Sequence, residues 1–427
     1  MSAHEQQGSA LATSDPKDNA VACPDIGIML YDNPKECTSG HASVNGSTPT
    51  HVRQPSDLAN NVIWITNADY GQFITLGHRN VHNLRGNTFL RTQVHQIAAD
   101  LGYELAGAHA VDAAPILSEV ASRVFKLTAA SYEWKAGEIA NADSLHENIK
   151  SRFPRDVYPS NNPALERALR AAYQTDSAIT RADFVPNSVF LTLRMNRLAH
   201  AKKVLSCPIP DDAWEHVPEV KLPVSQRERL AFCLKHDTPI LAEVVMDMTR
   251  ADSEYAALAA FGQKVASRMV LREWVSHPEL IWLSRFAPIE IKSVFRSAEY
   301  KALHERMQLP QTLVEDPLME LSYSAGLLAE NHWVSLATDE YNRLTKKKSL
   351  TPRAVWLRAA DRALCFSLAK KALDKGFTVT GYSAGAVRVR LLRSELLHAL
   401  EFAVENQVVC PNFNRIIQED DVHAATG

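Results

Sequence analysis

The residues Gly381-Tyr382-Ser383-Ala384-Gly385 follow the β-branched run Phe377-Thr378-Val379-Thr380, and their types could do chemistry. A serine between two glycines at the end of a strand can be lifted on a tight turn, with the next backbone amide placed to stabilise an oxyanion. Such a serine needs a histidine as base and an acid to orient it. His398 and His423 are the histidines downstream of Ser383. After the turn comes Ala386-Val387-Arg388-Val389-Arg390-Leu391, apolar and charged residues with the two-residue period of a strand. A nucleophile elbow runs into a helix, so the alternation predicts a hairpin here, and no residue is assigned a catalytic role. Ser383 is kept as the candidate nucleophile of an alternative reading.

On its pattern the string resembles the G-x-S-x-G of α/β-hydrolases and patatin-like lipases, which would imply a serine hydrolase. In the first group an acid and then a histidine follow the serine. In the second a downstream aspartate stands beside a glycine, and no Asp-Gly pair follows here. A similar Tyr323-Ser324-Ala325-Gly326 falls inside a helical pattern, which shows how readily such strings arise.

Charge gathers around the same place. Between Glu340 and Leu400 there are thirteen basic and four acidic residues, a local +9 in a chain whose formal charge is -3. Thr351 as N-cap, Pro352 as first helical residue and Gly376 as stop predict a helix over 352–375. A helix followed by an arginine-bearing hairpin has the outline of a winged-helix element. The residues assigned to nucleic acid are Lys346, Lys347, Lys348 and Arg353 for phosphate contacts, and Arg358, Arg362, Arg388 and Arg390 for groove or wing contacts. Upstream, helices expected at 278–286 and 288–297 around Phe286-Ala287-Pro288 would form a helix-turn-helix, and 264–306 carries eight basic against five acidic residues.

Metal-ligand residue types do not fall into metal-binding spacing. Cys23, Cys37, His41 and His51 are too unevenly placed for a compact zinc finger, and His78, His82, His95 and His109 lack the glutamate of an H-E-x-x-H helix. Asp247 closes an apolar run without a visible partner acid or lysine. No metal and no cofactor is assigned.

The elements that position these residues are read from periodicity. Residues 1–58 are polar, with seven acidic against three basic side chains, and are expected to be a disordered tail able to dock on a protein partner. Its apolar island, Ile26 to Tyr31, could form a strand. Val62–Thr66 and Gln72–Leu76 are expected to pair as a hairpin. Helical spacing marks 88–101, 112–132, 137–152, 163–175, 253–276, 278–286, 288–307, 317–345, 352–375 and 393–406. Ser188–Leu193 and Ile240–Met246 read as isolated strands, and the proline-rich stretch from Pro208 to Pro223 as a boundary.

The predicted fold is mainly α with minor β: a tail over 1–58, an α-rich lobe over 59–207 opened by a hairpin, a helical lobe over 224–416 ending in the basic helix and hairpin, and a tail over 417–427.

Composition sets outer limits. A chain of 427 residues with 46% hydrophobic and 22% charged side chains is globular, neither a polycationic coat nor an acidic disordered chain. Six scattered cysteines without a C-x-x-C pair point to a reducing compartment, taken as the cytoplasm, and no apolar run is long enough for a membrane span. The functional expectation is a non-catalytic regulatory or accessory protein contacting nucleic acid through 340–400; the alternatives are a serine hydrolase and a protein-interaction scaffold.

Overall fold

The computed structural model of the protein describes residues 25–59, 61–68, 110–132, 153, 162–173, 186–211, 213–234, 238–250, 255, 258–259, 270–315, 323–338, 340–342, 347–413 and 416–417. The chain opens with strands β1 (Asp25–Tyr31), β2 (Gly40–Val44), β3 (Thr50–Val52) and β4 (Val62–Thr66), then helices α1 (Ala110–Tyr132) and α2 (Pro163–Ala172). Next come β5 (Ser188–Met195), α3 (Arg197–Leu205), β6 (Ile209–Pro210), β7 (Trp214–Val217), α4 (Gln226–Leu234) and β8 (Ile240–Asp247). They are followed by β9 (Val270–Ser276), α5 (His277–Leu283), β10 (Ile289–Ser297), β11 (Tyr300–Lys301), α6 (Gln311–Glu315) and α7 (Tyr323–Leu336). The C-terminal part holds β12 (Glu340–Asn342), β13 (Lys347–Ser349), α8 (Pro352–Asp374), β14 (Thr378–Ser383), β15 (Ala386–Leu392), α9 (Leu396–Glu405) and β16 (Val408–Val409).

Three four-stranded sheets organise the described residues. The first has the order β3-β2-β1-β4, with β1 antiparallel to β2 and parallel to β4. Ile26, Ile28 and Leu30 of β1 pack on Ala110, Ala113, Ala114 and Leu117 of α1, while Met29 and Tyr31 on the opposite face meet Trp64 and Val52. A strand covered on both faces is apolar at nearly every position, as this one is. A carbon added at Gly27 would fall 2.4 Å from the Trp64 ring, so the backbone approaches the indole as only glycine allows.

The second sheet, β7-β10-β8-β9, is antiparallel throughout. One face carries Ala242, Val244, Val275, Ile291 and Val294. The other carries Leu241, Phe295, Trp214 and Trp274.

The third sheet, β14-β15-β5-β16, is likewise antiparallel and lays Val189, Leu191, Leu193, Val387, Val389 and Leu391 against α8 and α9. Helix α8 joins the two main cores: Ala354 to Leu357 lie in one, and Cys365, Phe366, Leu368, Ala369 and Ala372 in the other.

This architecture is mixed α+β and corrects the mainly α expectation. The expected disordered tail is folded from Asp25 onward into β1, β2 and β3, because the island at Ile26–Tyr31 finds a partner strand on each side and a helix over it. Strand β4 forms where expected but pairs with β1; its proposed partner at 72–76 lies outside the described residues, as do the helices at 88–101 and 137–152 and the histidines His78, His82, His95 and His109. Two helical expectations are strands. Residues 289–297 form β10 and the end of 253–276 forms β9, so no helix-turn-helix exists at 278–297. Ile289, Ile291, Val294 and Phe295 fit three- and four-residue intervals as well as a bulged alternation, and pairing with β8 decides between them. The strands expected to be isolated, β5 and β8, each lie inside a sheet. The proline-rich stretch contributes β6 and β7 to sheets. No helix among the described residues is long and apolar enough to cross a membrane.

Candidate nucleic-acid interface

The β14–β15 hairpin is closed by two residues, since Ser383 and Ala386 are paired. Ala384 and Gly385 both have positive φ, 49° and 70°, the left-handed geometry that matches the twist of a tight hairpin. Ser383 therefore ends one strand and leads into another. Among the described residues no histidine hydrogen-bonds it. His398 rests edge-on against Phe377, with ring centres 5.4 Å apart, and His423 lies outside the described residues. The strand-to-helix elbow of the hydrolase alternative is absent.

An internal carboxylate fastens the turn. Asp361 of α8 accepts hydrogen bonds from the amides of Ala384 at 2.9 Å and Gly385 at 3.0 Å, and its Oδ1 lies 2.8 Å from His200 Nε2. Burial opposes ionisation of Asp361, but the hydrogen bond and charge of His200 together with the two amides outweigh it and hold the carboxyl below its ordinary range. Cys365 donates to the same oxygen at 3.4 Å, and burial pushes its thiol far up. His200, Asp361 and Cys365 are donor types that could hold a cation. Both Asp361 oxygens are already committed to the turn, which makes this cluster a clamp. On the other side of the turn Arg194 donates to the Ala384 carbonyl at 3.2 Å and, with Arg197, is paired to Glu330.

The expected nucleic-acid residues separate into internal and external sets. Arg353 is 3% exposed and donates to the Leu336 carbonyl. Arg362 is also 3% exposed and forms an ion pair with buried Glu279 at 2.6 Å. Ser276 holds the other oxygen of Glu279. Arg358 is half-buried, its guanidinium 5.1 Å from the centre of the Trp333 ring. Lys347 and Lys348 belong to β13, opposite Asn342 and Tyr341, and Lys346 lies outside the described residues.

Arg388 and Arg390 are different. They alternate with buried Val387, Val389 and Leu391, so they stand on the face of the third sheet turned away from α8. Directly opposite on β5 are Thr192 beside Arg388 and Phe190 beside Arg390. Phe190 is 45% exposed and Leu392 44%, two large apolar groups on the outer sheet face. Thr380 and Thr378 of β14 and Val409 of β16 extend the same face.

The winged-helix regulator expected over 340–400 is thus overturned: its recognition helix is the buried joint between two cores. Phe190, which no motif marked, joins the surviving arginines because it sits one residue out of phase with buried Val189 and Leu191. Glu279, His200 and Asp361 were not singled out either, since their partners are distant in sequence.

No protein family and no curated protein matches the chain at the level of sequence. The solved structures similar to it include complexes of one enzyme. The phi29 DNA polymerase complexed with primer-template DNA and incoming nucleotide substrates is 10% identical, with 86% of this chain and 80% of that chain covered and a TM-score of 0.41. The same polymerase complexed with single-stranded DNA is 12% identical, with 66% and 52% covered and a TM-score of 0.36. Its binary complex with primer-template DNA is 12% identical, with 69% and 58% covered and a TM-score of 0.36.

Proposed function

We propose that the protein binds nucleic acid on the outer face of the sheet β14-β15-β5-β16. The observation that carries this reading is the cross-strand pair of exposed Phe190 and half-buried Arg390, with exposed Arg388 two residues along. An aromatic ring on an open sheet offers a stacking surface to an unpaired base, and guanidinium groups beside it meet the flanking phosphates. Thr192 adds a hydroxyl of the kind that bonds to phosphate and sugar. Stacking needs an unstacked base, so a single strand is the form this face suits.

The test is fluorescence anisotropy with a single-stranded oligonucleotide at several salt concentrations. The double variant Arg388→Gln, Arg390→Gln should weaken binding about tenfold or more and make the log-log salt slope shallower by roughly 1.4, two phosphate contacts at about 0.7 each for a single strand. Equal affinity of variant and wild type, or no binding by the wild type at low salt, rejects the proposal.

A further inference from the structure

A second region of the molecule has the makings of a ligand site independent of that interface. An open groove of about 470 Å³ lies between α2 and the face of the β7-β10-β8-β9 sheet that carries Phe295 and Trp274. That size falls within the range of small-molecule sites. Its floor is aromatic: Trp274 and Phe295 have ring centres 5.4 Å apart, and His216 lies 4.8 Å from Phe295 on the other side. Phe295 is buried and backs the other two rings, while Trp274 is half-buried and His216 exposed.

Polar groups converge on this floor. Glu243 is the direct cross-strand neighbour of Trp274, and its Oε2 accepts a 2.7 Å hydrogen bond from Ser293. Oε1 of the same half-buried carboxylate is the acceptor left for a ligand N–H. The register of β10 shifts between Ile291 and Ser293, and both Lys292 and Ser293 line the groove. Such bulges re-aim side chains. Lys292 also lies 3.3 Å from exposed Glu290, a solvent-screened pair that an incoming anion can compete with. Arg167 and Ala164 come from the first turns of α2, whose positive end therefore borders the groove. Glu219 at the rim is bound by Arg229 at 2.7 Å, and the charge of Lys292 also acts on it.

We propose that this groove binds a nucleoside phosphate, with a purine ring on Trp274, its exocyclic amino group donating to Glu243 and its phosphate between Lys292 and Arg167. An aromatic face, one acceptor beside it and cations at the rim match the three parts of such a molecule. A carboxylate with one oxygen already occupied suits the single amino group of adenine.

Equilibrium dialysis of the full chain with adenosine 5′-monophosphate tests this, with adenosine and inorganic phosphate as separate probes. Saturable binding of the monophosphate is expected, about tenfold or more tighter than adenosine and than phosphate. Lys292→Glu, a change at the groove rim, should reduce monophosphate affinity about tenfold while leaving adenosine binding unchanged, and Trp274→Leu should weaken both. Circular dichroism confirms that each variant is folded. Because Arg388 and Arg390 belong to another sheet, their double variant should bind the monophosphate as the wild type does. No saturable binding of the monophosphate to the wild type overturns the proposal, as does unchanged affinity in Lys292→Glu.

Discussion

Asp361 and His200 lie 2.8 Å apart, 161 residues from one another in sequence, and the same carboxylate holds both amides of the β14–β15 turn. A buried acid that accepts from so many donors ties helix α8 to the hairpin that carries Arg388 and Arg390. Asp361→Asn places an amide N–H₂ group among donors and should lower stability by about 3 kcal/mol, read as the urea midpoint. The carboxyl is held below its ordinary value of 3.8, so its stabilisation is complete above that pH and is lost as pH falls through the lower folded value. Acid unfolding of the Asn variant should therefore lack the part that wild type shows below about pH 4.

Arg362 and Glu279 form a second internal pair. Arg362→Met leaves a buried carboxylate without its cation and should cost about 3–5 kcal/mol, whereas adding Glu279→Leu should restore a large part of the loss. Thermal unfolding of the single and double variants distinguishes this from an interface role, which would leave stability unaltered.

His332 is buried between Tyr132 and the Met307 carbonyl, at 3.0 Å and 2.9 Å. Its Nε2 donates to the carbonyl, so Nδ1 accepts from the tyrosine hydroxyl. Burial lowers its pKa from 6.5 to about 4, against the smaller opposing effect of the Met307 carbonyl. The unfolded chain takes up this proton before the folded one does, so the contribution is full above about pH 6.5 and declines toward pH 4. Between pH 7 and pH 5 the wild type should lose about 2 kcal/mol from this group, and His332→Gln should flatten that part of the stability profile in urea titrations.

Gly385 has φ +70°, and a carbon added there would meet the His200 ring at 3.0 Å. Gly385→Ala should cost about 1–3 kcal/mol, combining left-handed strain with displacement of the His200–Asp361 clamp. Ser383→Ala, two residues earlier, should leave stability within about 0.5 kcal/mol; a larger loss would show that the serine hydroxyl has a structural partner.

Phe190→Ala removes the stacking ring from the outer face without opening a core. Affinity for a single-stranded oligonucleotide should fall by about 1–3 kcal/mol while the unfolding midpoint moves little. A variant that keeps full affinity would confine the interface to the arginines.

Helix α8 and the hairpin after it are written in local chemistry. Thr351 caps the Ala354 amide, Pro352 begins the helix, Gly376 ends it at φ +90°, and the alternation of Val387, Val389 and Leu391 with Arg388 and Arg390 sets the strand and its two faces. Each of those signals involves residues within a few positions of one another, so the amino-acid sequence alone determined them. Which arginines reach solvent was decided only by tertiary structure. Arg362 turns inward because Glu279 arrives from 83 residues away, Arg353 because α7 ends against it at Leu336, and β1 becomes a core strand because β2, β4 and α1 close over it. Burial of a charge depends on the partner that meets it, and no local pattern carries the address of a partner so distant along the chain.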